Sequence, residues 1–321
     1  MSDWAFPEEL RPDPAALAYD LEAALAAVVE LRAEVPDDAF TARILGTERA
    51  GSGVVISEDG LVLTIGYLIT EASRVWLSTA AGRASEAYAL AWDQPTGFGL
   101  VRALAPLGVG SVRRASAAAC PIGGEVVVAA AGGRRHALSA RVFARREFAG
   151  YWEYVLDEAL FTVPAHPQWG GAAVFDSSGR LVAIGSLLVE EKTEGETVHG
   201  NMHVPVELLE PILDDLVRLG RARCPPRPWL GIYAAEVAGQ LVVSGLAPGG
   251  PAERAGLRTG DALVAVGGVP VQGLANFFRR VWALGAAGVT VPLGIVRGRA
   301  RTEVQVQSAD REAYLRRPAL H

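Results

Sequence analysis

Ala165-His166-Pro167-Gln168-Trp169-Gly170-Gly171-Ala172-Ala173-Val174-Phe175 joins a turn-rich hexad, His166 to Gly171, to an apolar strand that stops at the turn Asp176-Ser177-Ser178-Gly179. Two adjacent glycines ahead of a strand call for bare backbone, either for an unusual dihedral or for a close approach. Leu160-Phe161-Thr162-Val163 reads as a strand on the upstream side, and Leu181-Val182-Ala183-Ile184-Gly185-Ser186 as one on the downstream side. Short apolar runs separated by Gly- and Asp-containing turns continue in both directions, so the first expectation is a mainly β fold. Composition agrees: 321 residues carry 36 Gly and 19 Pro, with half the residues hydrophobic and only 21% charged, enough to bury sizeable cores in about two domains.

A net charge of −6 argues against a nucleic-acid partner, which needs a basic surface. Arg113-Arg114, Arg134-Arg135 and Arg145-Arg146 read as solvated strand ends. Cys120 and Cys224 lie far apart and form neither a zinc motif nor a disulfide framework, so no metal and no cofactor is expected. The acidic start, Met1 to Glu9, does not read as a secretory leader, and Ala15 to Val35 is too interrupted by charge to span a membrane. The expectation is a cytoplasmic protein with no membrane span. Asp13 caps a helix opened by Pro14, and Leu17, Leu21, Ala24, Leu25, Val28, Leu31 and Val35 carry a helical period that predicts a helix up to Pro36.

Gly51-Ser52-Gly53-Val54-Val55-Ile56-Ser57-Glu58-Asp59-Gly60-Leu61-Val62-Leu63-Thr64 predicts a strand, a tight turn at Asp59-Gly60 and a second strand. This hairpin resembles the opening of trypsin-fold proteases of the HtrA (DegP-like) family, and Pro167 to Gly171 resembles their Gly-Asn-Ser-Gly-Gly nucleophile loop. The resemblance covers residues 45 to 308. It implies a trypsin-like double β-barrel over 45–220, preceded by a helical lead-in over 1–44. All three triad positions are substituted: Tyr67 stands for the general-base histidine, Gly97 for the orienting aspartate, and Trp169 for the nucleophile. Asp93 and Thr96 keep the places of their counterparts. A phenol with pKa about 10 is no general base near neutral pH, and Tyr67 reads as a packing residue with its hydroxyl satisfied.

The oxyanion hole of this fold uses the N–H of the nucleophile residue and of the residue two before it, which is Pro167, a residue with no N–H. His166 reads as a surface or loop-supporting residue, His203 as a residue near the rim, Ser177 and Ser178 as turn residues, and Cys120 as a loop thiol without a histidine beside it. Glu147 to Tyr154, rich in aromatics around Gly150, maps onto no catalytic motif and reads as core or interface.

A Pro- and Arg-containing linker at 221–228 leads into a unit at 229–310 that closely resembles a PDZ domain of HtrA type, an α+β module, with a tail at 311–321. The resemblance implies β-augmentation: an extended peptide adds as a strand and its terminal carboxylate sits on consecutive N–H groups of a loop. That loop is Trp229-Leu230-Gly231-Ile232, and Leu274, Phe277, Phe278 and Val281 recur at helical spacing as the opposing wall. Phe277 and Phe278 are adjacent, so one of them is expected in the core. The implied partners are peptides or protein C-termini, and homotrimers are usual in the family. Two functions follow: a non-catalytic, peptide-binding adaptor or regulator in protein quality control, or a peptidase with a non-standard catalytic arrangement. A PDZ fold that serves only to pack is the third possibility for the second domain.

Overall fold

A computed structural model describes residues 4–193 and 196–316. The chain divides into two compact units, each with its own core; the last residues of the tail, 317–321, lie outside the described residues, as do 1–3 of the acidic start.

The first unit is a pair of closed six-stranded antiparallel barrels. The first barrel contains β1 (Val28–Glu34), β2 (Glu48–Val55), β3 (Leu61–Ile65), β4 (Arg74–Ser78), β5 (Ala84–Trp92) and β6 (Phe98–Ala103), closed in the order β1-β2-β3-β6-β5-β4. The second contains β7 (Glu125–Ala129), β8 (Ala137–Gly150), β9 (Tyr154–Val163), β10 (Ala173–Phe175), β11 (Leu181–Thr193) and β12 (Glu196–Pro205), closed in the order β10-β11-β12-β9-β8-β7. Closure removes every free edge, which explains how so many short apolar strands coexist without an exposed pairing surface. Val128, Leu138, Val142, Leu160, Val174 and Val182 fill the second barrel.

The helix expected up to Pro36 is much shorter. Asp13 does accept from the Ala15 N–H, capping a single 3-10 turn at Pro14–Ala16, but α1 runs only over Leu21–Ala26. Val28 to Glu34 is instead strand β1, paired with β2 on one side and β4 on the other. The reason is visible in the residues: Val29-Glu30-Leu31-Arg32-Ala33-Glu34 also alternates with period two, and its apolar members are buried while Arg32 and Glu34 are exposed. Barrel closure favours that reading over the helical one. Two further short helices belong to this unit, α2 (Ala42–Leu45) and α3 (Leu213–Leu219).

The second unit combines residues 147–157 with residues 224–316. Its sheet has the order β13-β14-β15-β17-β18, with β13 (Ile232–Val237), β14 (Gln240–Leu246), β15 (Ala262–Val266), β17 (Thr290–Arg297) and β18 (Ala300–Gln307); β16 (Val269–Pro270) pairs with β15. The helices are α4 (Pro251–Arg254) and α5 (Gly273–Trp282). Phe277, Phe278 and Val281 of α5 are buried with Leu230, Ile232, Val243 and Leu293 in one core, so both phenylalanines are core residues rather than one. Ala149 and Val155, from the tip of the β8–β9 hairpin, pack into that same core. No helix among the described residues is long and apolar enough to cross a membrane.

Candidate functional site

The three triad positions converge. Tyr67 lies on a 3-10 turn, Gly66–Leu68, directly after β3. Its hydroxyl donates to the Ser186 carbonyl at 2.9 Å and receives a hydrogen bond from the Trp169 indole. Burial pushes the phenol pKa well above its ordinary value, against the smaller opposing effect of the indole. Gly97 reaches the same place through its carbonyl, which accepts from the Gly66 N–H at 2.7 Å. The Asp93 carboxylate, one turn earlier, accepts from both the N–H and the hydroxyl of Thr96, at 2.9 and 2.7 Å, and so caps its own loop. Tyr67 is therefore the satisfied packing residue that its type suggests.

The Tyr67 turn is anchored from below. Arg49 of β2, itself buried, donates to the Tyr67 and Thr70 carbonyls at 2.8 and 2.9 Å and to the Thr41 hydroxyl at 2.8 Å. Glu71, also buried, accepts from the Phe40 N–H, the Thr41 N–H and the Thr41 hydroxyl. Such a network is stable only when each polar atom finds a partner.

The loop from His166 to Gly171 is held as firmly. Gly170 accepts from the Ser52 N–H at 2.8 Å, and the Gly171 N–H donates to the Gly185 carbonyl at 2.9 Å. Gly171 has φ +75°, and a Cβ there would lie 1.8 Å from the Ser52 oxygen, so no other residue fits without movement. The Thr64 hydroxyl donates to that same Ser52 oxygen at 2.7 Å, so the hairpin of β2 and β3 and the hexad are two halves of one frame.

His166 is fully buried rather than at the surface, and it does support the loop. Its Nε2 donates to the His136 carbonyl at 2.9 Å, its Nδ1 accepts from the Gln168 N–H at 3.0 Å, and its own N–H donates to the Asn201 side chain at 2.6 Å. Those partners define one neutral tautomer, and burial holds its pKa down at about 4. His203, expected at the rim, is instead fully buried on β12, with Nε2 2.7 Å from the Thr162 hydroxyl; burial lowers its pKa to about 3. Its position in the register opposite Leu160 of β9 turns it into the barrel, which the flanking residues do not reveal. Ser178 and Gly179 form the turn expected of them, with the Ser178 N–H on the Asp176 carboxylate. Burial raises the Cys120 thiol pKa, which leaves it inert as a nucleophile.

A cleft of about 500 Å³ remains between these elements, lined by Tyr67, Leu68, Pro167, Trp169 and Arg32 among others. Besides the indole and the phenol it presents Glu30, the Ser52 hydroxyl, the His136 imidazole and Gln168. Ser52 Oγ accepts from the Ala131 N–H at 3.0 Å and His136 Nδ1 lies 3.4 Å from the Gln168 side-chain oxygen, so this hydroxyl and this imidazole are engaged with other partners rather than with each other.

In the second unit Trp229, Leu230, Gly231 and Ile232 come together as a loop into β13. Gly231 has φ +73°, which turns three successive N–H groups toward one point. That point holds a carboxylate already. Glu153 Oε1 accepts from Leu230, Gly231 and Ile232 at 3.1, 2.6 and 3.0 Å, and Oε2 accepts from Leu230 at 3.1 Å. Leu274 packs at the edge of the core, while Phe277, Phe278 and Val281 are buried in it. Glu153 escaped sequence reasoning because it lies among aromatics far from the loop in the chain, and a single glutamate carries no motif.

The comparisons with known proteins match this architecture. A family model for a trypsin-like peptidase domain matches residues 51–184, and one for a PDZ domain matches residues 242–295. The serine endoprotease DegS of Escherichia coli (strain K12) is 25% identical over 276 residues, covering 80% of this chain and 75% of DegS. Protease Do-like 1, chloroplastic, of Arabidopsis thaliana is 27% identical over 297 residues, covering 85% of this chain and 66% of that protein. Among solved structures, the HtrA-type protease AlgW with tripeptide superposes with a TM-score of 0.53 at 16% identity, over 94% of this chain and 98% of that one. The serine endoprotease from Yersinia pestis gives 0.53 at 21% identity, over 92% and 99%. Trypsin-like barrels followed by a PDZ domain, in a chain similar along most of its length to DegS, place this protein in the HtrA (DegP-like) family of trypsin-fold serine proteases.

Proposed function

We propose that this chain is a non-catalytic HtrA-family protein that binds peptides or protein C-termini through its PDZ domain and acts as an adaptor or regulator in protein quality control. The observation that carries the first half is the loop around Trp169. The nucleophile, its base and its orienting acid are replaced by Trp169, Tyr67 and Gly97, and these residues are bonded to one another or to the backbone rather than left available. Pro167 withholds the second oxyanion donor. The second half is supported by the convergent N–H groups of Leu230, Gly231 and Ile232, which already hold a carboxylate.

Two assays test the proposal. Purified protein is incubated with fluorescent casein and with a serine-reactive phosphonate; neither turnover nor labelling is expected, and turnover above the blank refutes the non-catalytic reading in favour of an unrecognised peptidase arrangement. A library of peptides with free C-termini should yield ligands that lose affinity when Gly231 is replaced by a bulky residue, and a library without selective binders reduces the second domain to packing.

A further inference from the structure

The contacts of Glu153 reach beyond its carboxylate. The backbone carbonyl of Tyr151 accepts from the Ala234 N–H at 3.3 Å, on the outer side of β13, the edge strand of the sheet. Residues 151–153, the turn between β8 and β9, thus lie along β13 in the antiparallel sense, with Glu153 at the loop and the Tyr151 carbonyl on the Ala234 N–H. An extended peptide adding to this edge with its terminal carboxylate in the loop would run in the same direction. Glu153 occupies the place of such a peptide's last residue, with a side-chain carboxylate in place of the main-chain one. Its backbone has φ +63°, an uncommon conformation for a non-glycine residue, which turns the chain away so that it can continue into β9.

The tip is fastened on both sides of Glu153. Ala149 and Val155 are packed into the core of the second unit, and Arg279 of α5 pairs with both Glu147 and Asp157, one on each arm of the hairpin. Tyr151 meets Tyr233 of β13 edge to face at 6.0 Å, and Trp152 stacks on Tyr154 at 5.7 Å. A loop merely folded against a sheet has no need to place a buried carboxylate on three convergent N–H groups.

We propose that Tyr151-Trp152-Glu153 is a built-in pseudo-ligand of the PDZ domain, so that a peptide with a free C-terminal carboxylate binds only by displacing Glu153. The inference rests on the peptide-binding reading of this domain and adds its regulation: the site is closed at rest and opens when the tip of the β8–β9 hairpin is released.

The test uses the full chain, wild type and E153A, with R279A as a milder variant that loosens the tip without touching the loop. Hydrogen exchange is measured at the amides of Leu230, Gly231 and Ile232. Binding is measured by fluorescence anisotropy with labelled decapeptides, randomised upstream and ending in Val, Leu, Phe or Ala, each as the free acid and as the carboxamide. The three amides are expected to be protected in the wild type and to exchange at least about ten-fold faster in E153A, which should bind free-acid peptides about ten-fold or more tightly than the wild type, with R279A between them. Carboxamide peptides should not bind. Equal affinity of wild type and E153A for the same free-acid peptide overturns the proposal, as does unprotected exchange at these amides in the wild type, a result that requires no variant to fold. Protected amides that are freed in E153A, without any peptide binding to it, uphold the occupied loop and refute the peptide-binding reading instead.

Discussion

Tyr67→His, Gly97→Asp and Trp169→Ser in one chain restore the side chains of a serine-protease triad, yet this triple variant is expected to turn over casein roughly 10²–10³-fold more slowly than a quadruple variant that also carries Pro167→Gly. The magnitude follows from one missing hydrogen. Residue 167 stands where the fold draws its second oxyanion donor, and proline has none to give. Loss of one such donor raises the barrier by about 3 kcal/mol. Its neighbour does not substitute, because the Gln168 N–H is already committed to Nδ1 of His166. The rest of the frame suits the restoration: position 67 adjoins position 169, and the Gly97 carbonyl is bonded to the turn that carries residue 67. Gly97 has φ +83°, so an aspartate there costs about 1 kcal/mol of stability, which a thermal melt separates from the catalytic effect. Initial rates on fluorescent casein, with phosphonate labelling to count active serines, decide the matter. Equal rates for the triple and quadruple variants, or turnover by the unmodified chain, would refute the reasoning.

Gly171→Ala should destabilise the first unit by at least about 3 kcal/mol, since its Cβ would meet the Ser52 carbonyl at 1.8 Å; a fall in melting temperature of several degrees checks it. Glu71→Ala removes the acceptor of the half-buried Phe40 N–H and of the buried Thr41 N–H and hydroxyl and leaves Arg49 without its acidic neighbour, and should lower the urea midpoint by the equivalent of about 3 kcal/mol. His166 and His203 have pKa values held below the ordinary 6.5, so their contribution to stability is complete above pH 6.5 and is lost as pH falls toward 4 and then 3; unfolding of the barrels at pH 7 and pH 4 should show that loss. Glu153 has the opposite sign. Burial raises its pKa from 4.5 to about 7 against the three N–H groups, with Arg311 also opposing and Tyr233 and Tyr151 facing it. The docked tip is therefore strongest below pH 4.5 and weakens as pH rises through about 7, by up to about 300-fold in the docking equilibrium, and exchange at Gly231 should accelerate over that range once the intrinsic pH effect is removed.

Most of the fold was legible because its signals are local. The hairpin at Gly51 to Thr64 needs only alternating apolar residues and a turn at Asp59-Gly60, and the structure gives β2 and β3 there. Gly171 was legible as a backbone requirement before its φ and its contact with Ser52 were known. Val28 to Glu34 was not, because a segment with both helical and strand periods is decided by what pairs with it, and the partners β2 and β4 lie up to 50 residues downstream. His203 failed for the same reason: whether a strand residue points into the barrel depends on register, and one step of register exchanges the faces. Only one of Phe277 and Phe278 was expected in the core, with the other on the groove wall, but both are buried in the core that α5 packs against.

Glu153 marks a different limit. Recognition of a peptide terminus by a loop like Leu230 to Ile232 is made by backbone N–H groups, which accept any carboxylate that reaches them in the right direction, whether it ends a chain or hangs from one. Sequence can locate the loop, because the turn needs Gly231, but it cannot say which of the 36 acidic residues will arrive there, since none of them requires a particular neighbour to do so. Within the second unit Glu153 reaches the loop through the turn at residues 151–153, where its own φ is +63°, and through Ala149 and Val155, which pack into the core on either side of it. An insertion or deletion of one residue between Ala149 and Val155 would rebuild that turn and move residue 153 off the loop, even with the glutamate itself unchanged. The specificity of the contact therefore lies in the conformation and anchoring of this turn rather than in residue type, and deletion of Trp152, with the barrel still folded, should expose the loop amides as fully as E153A does.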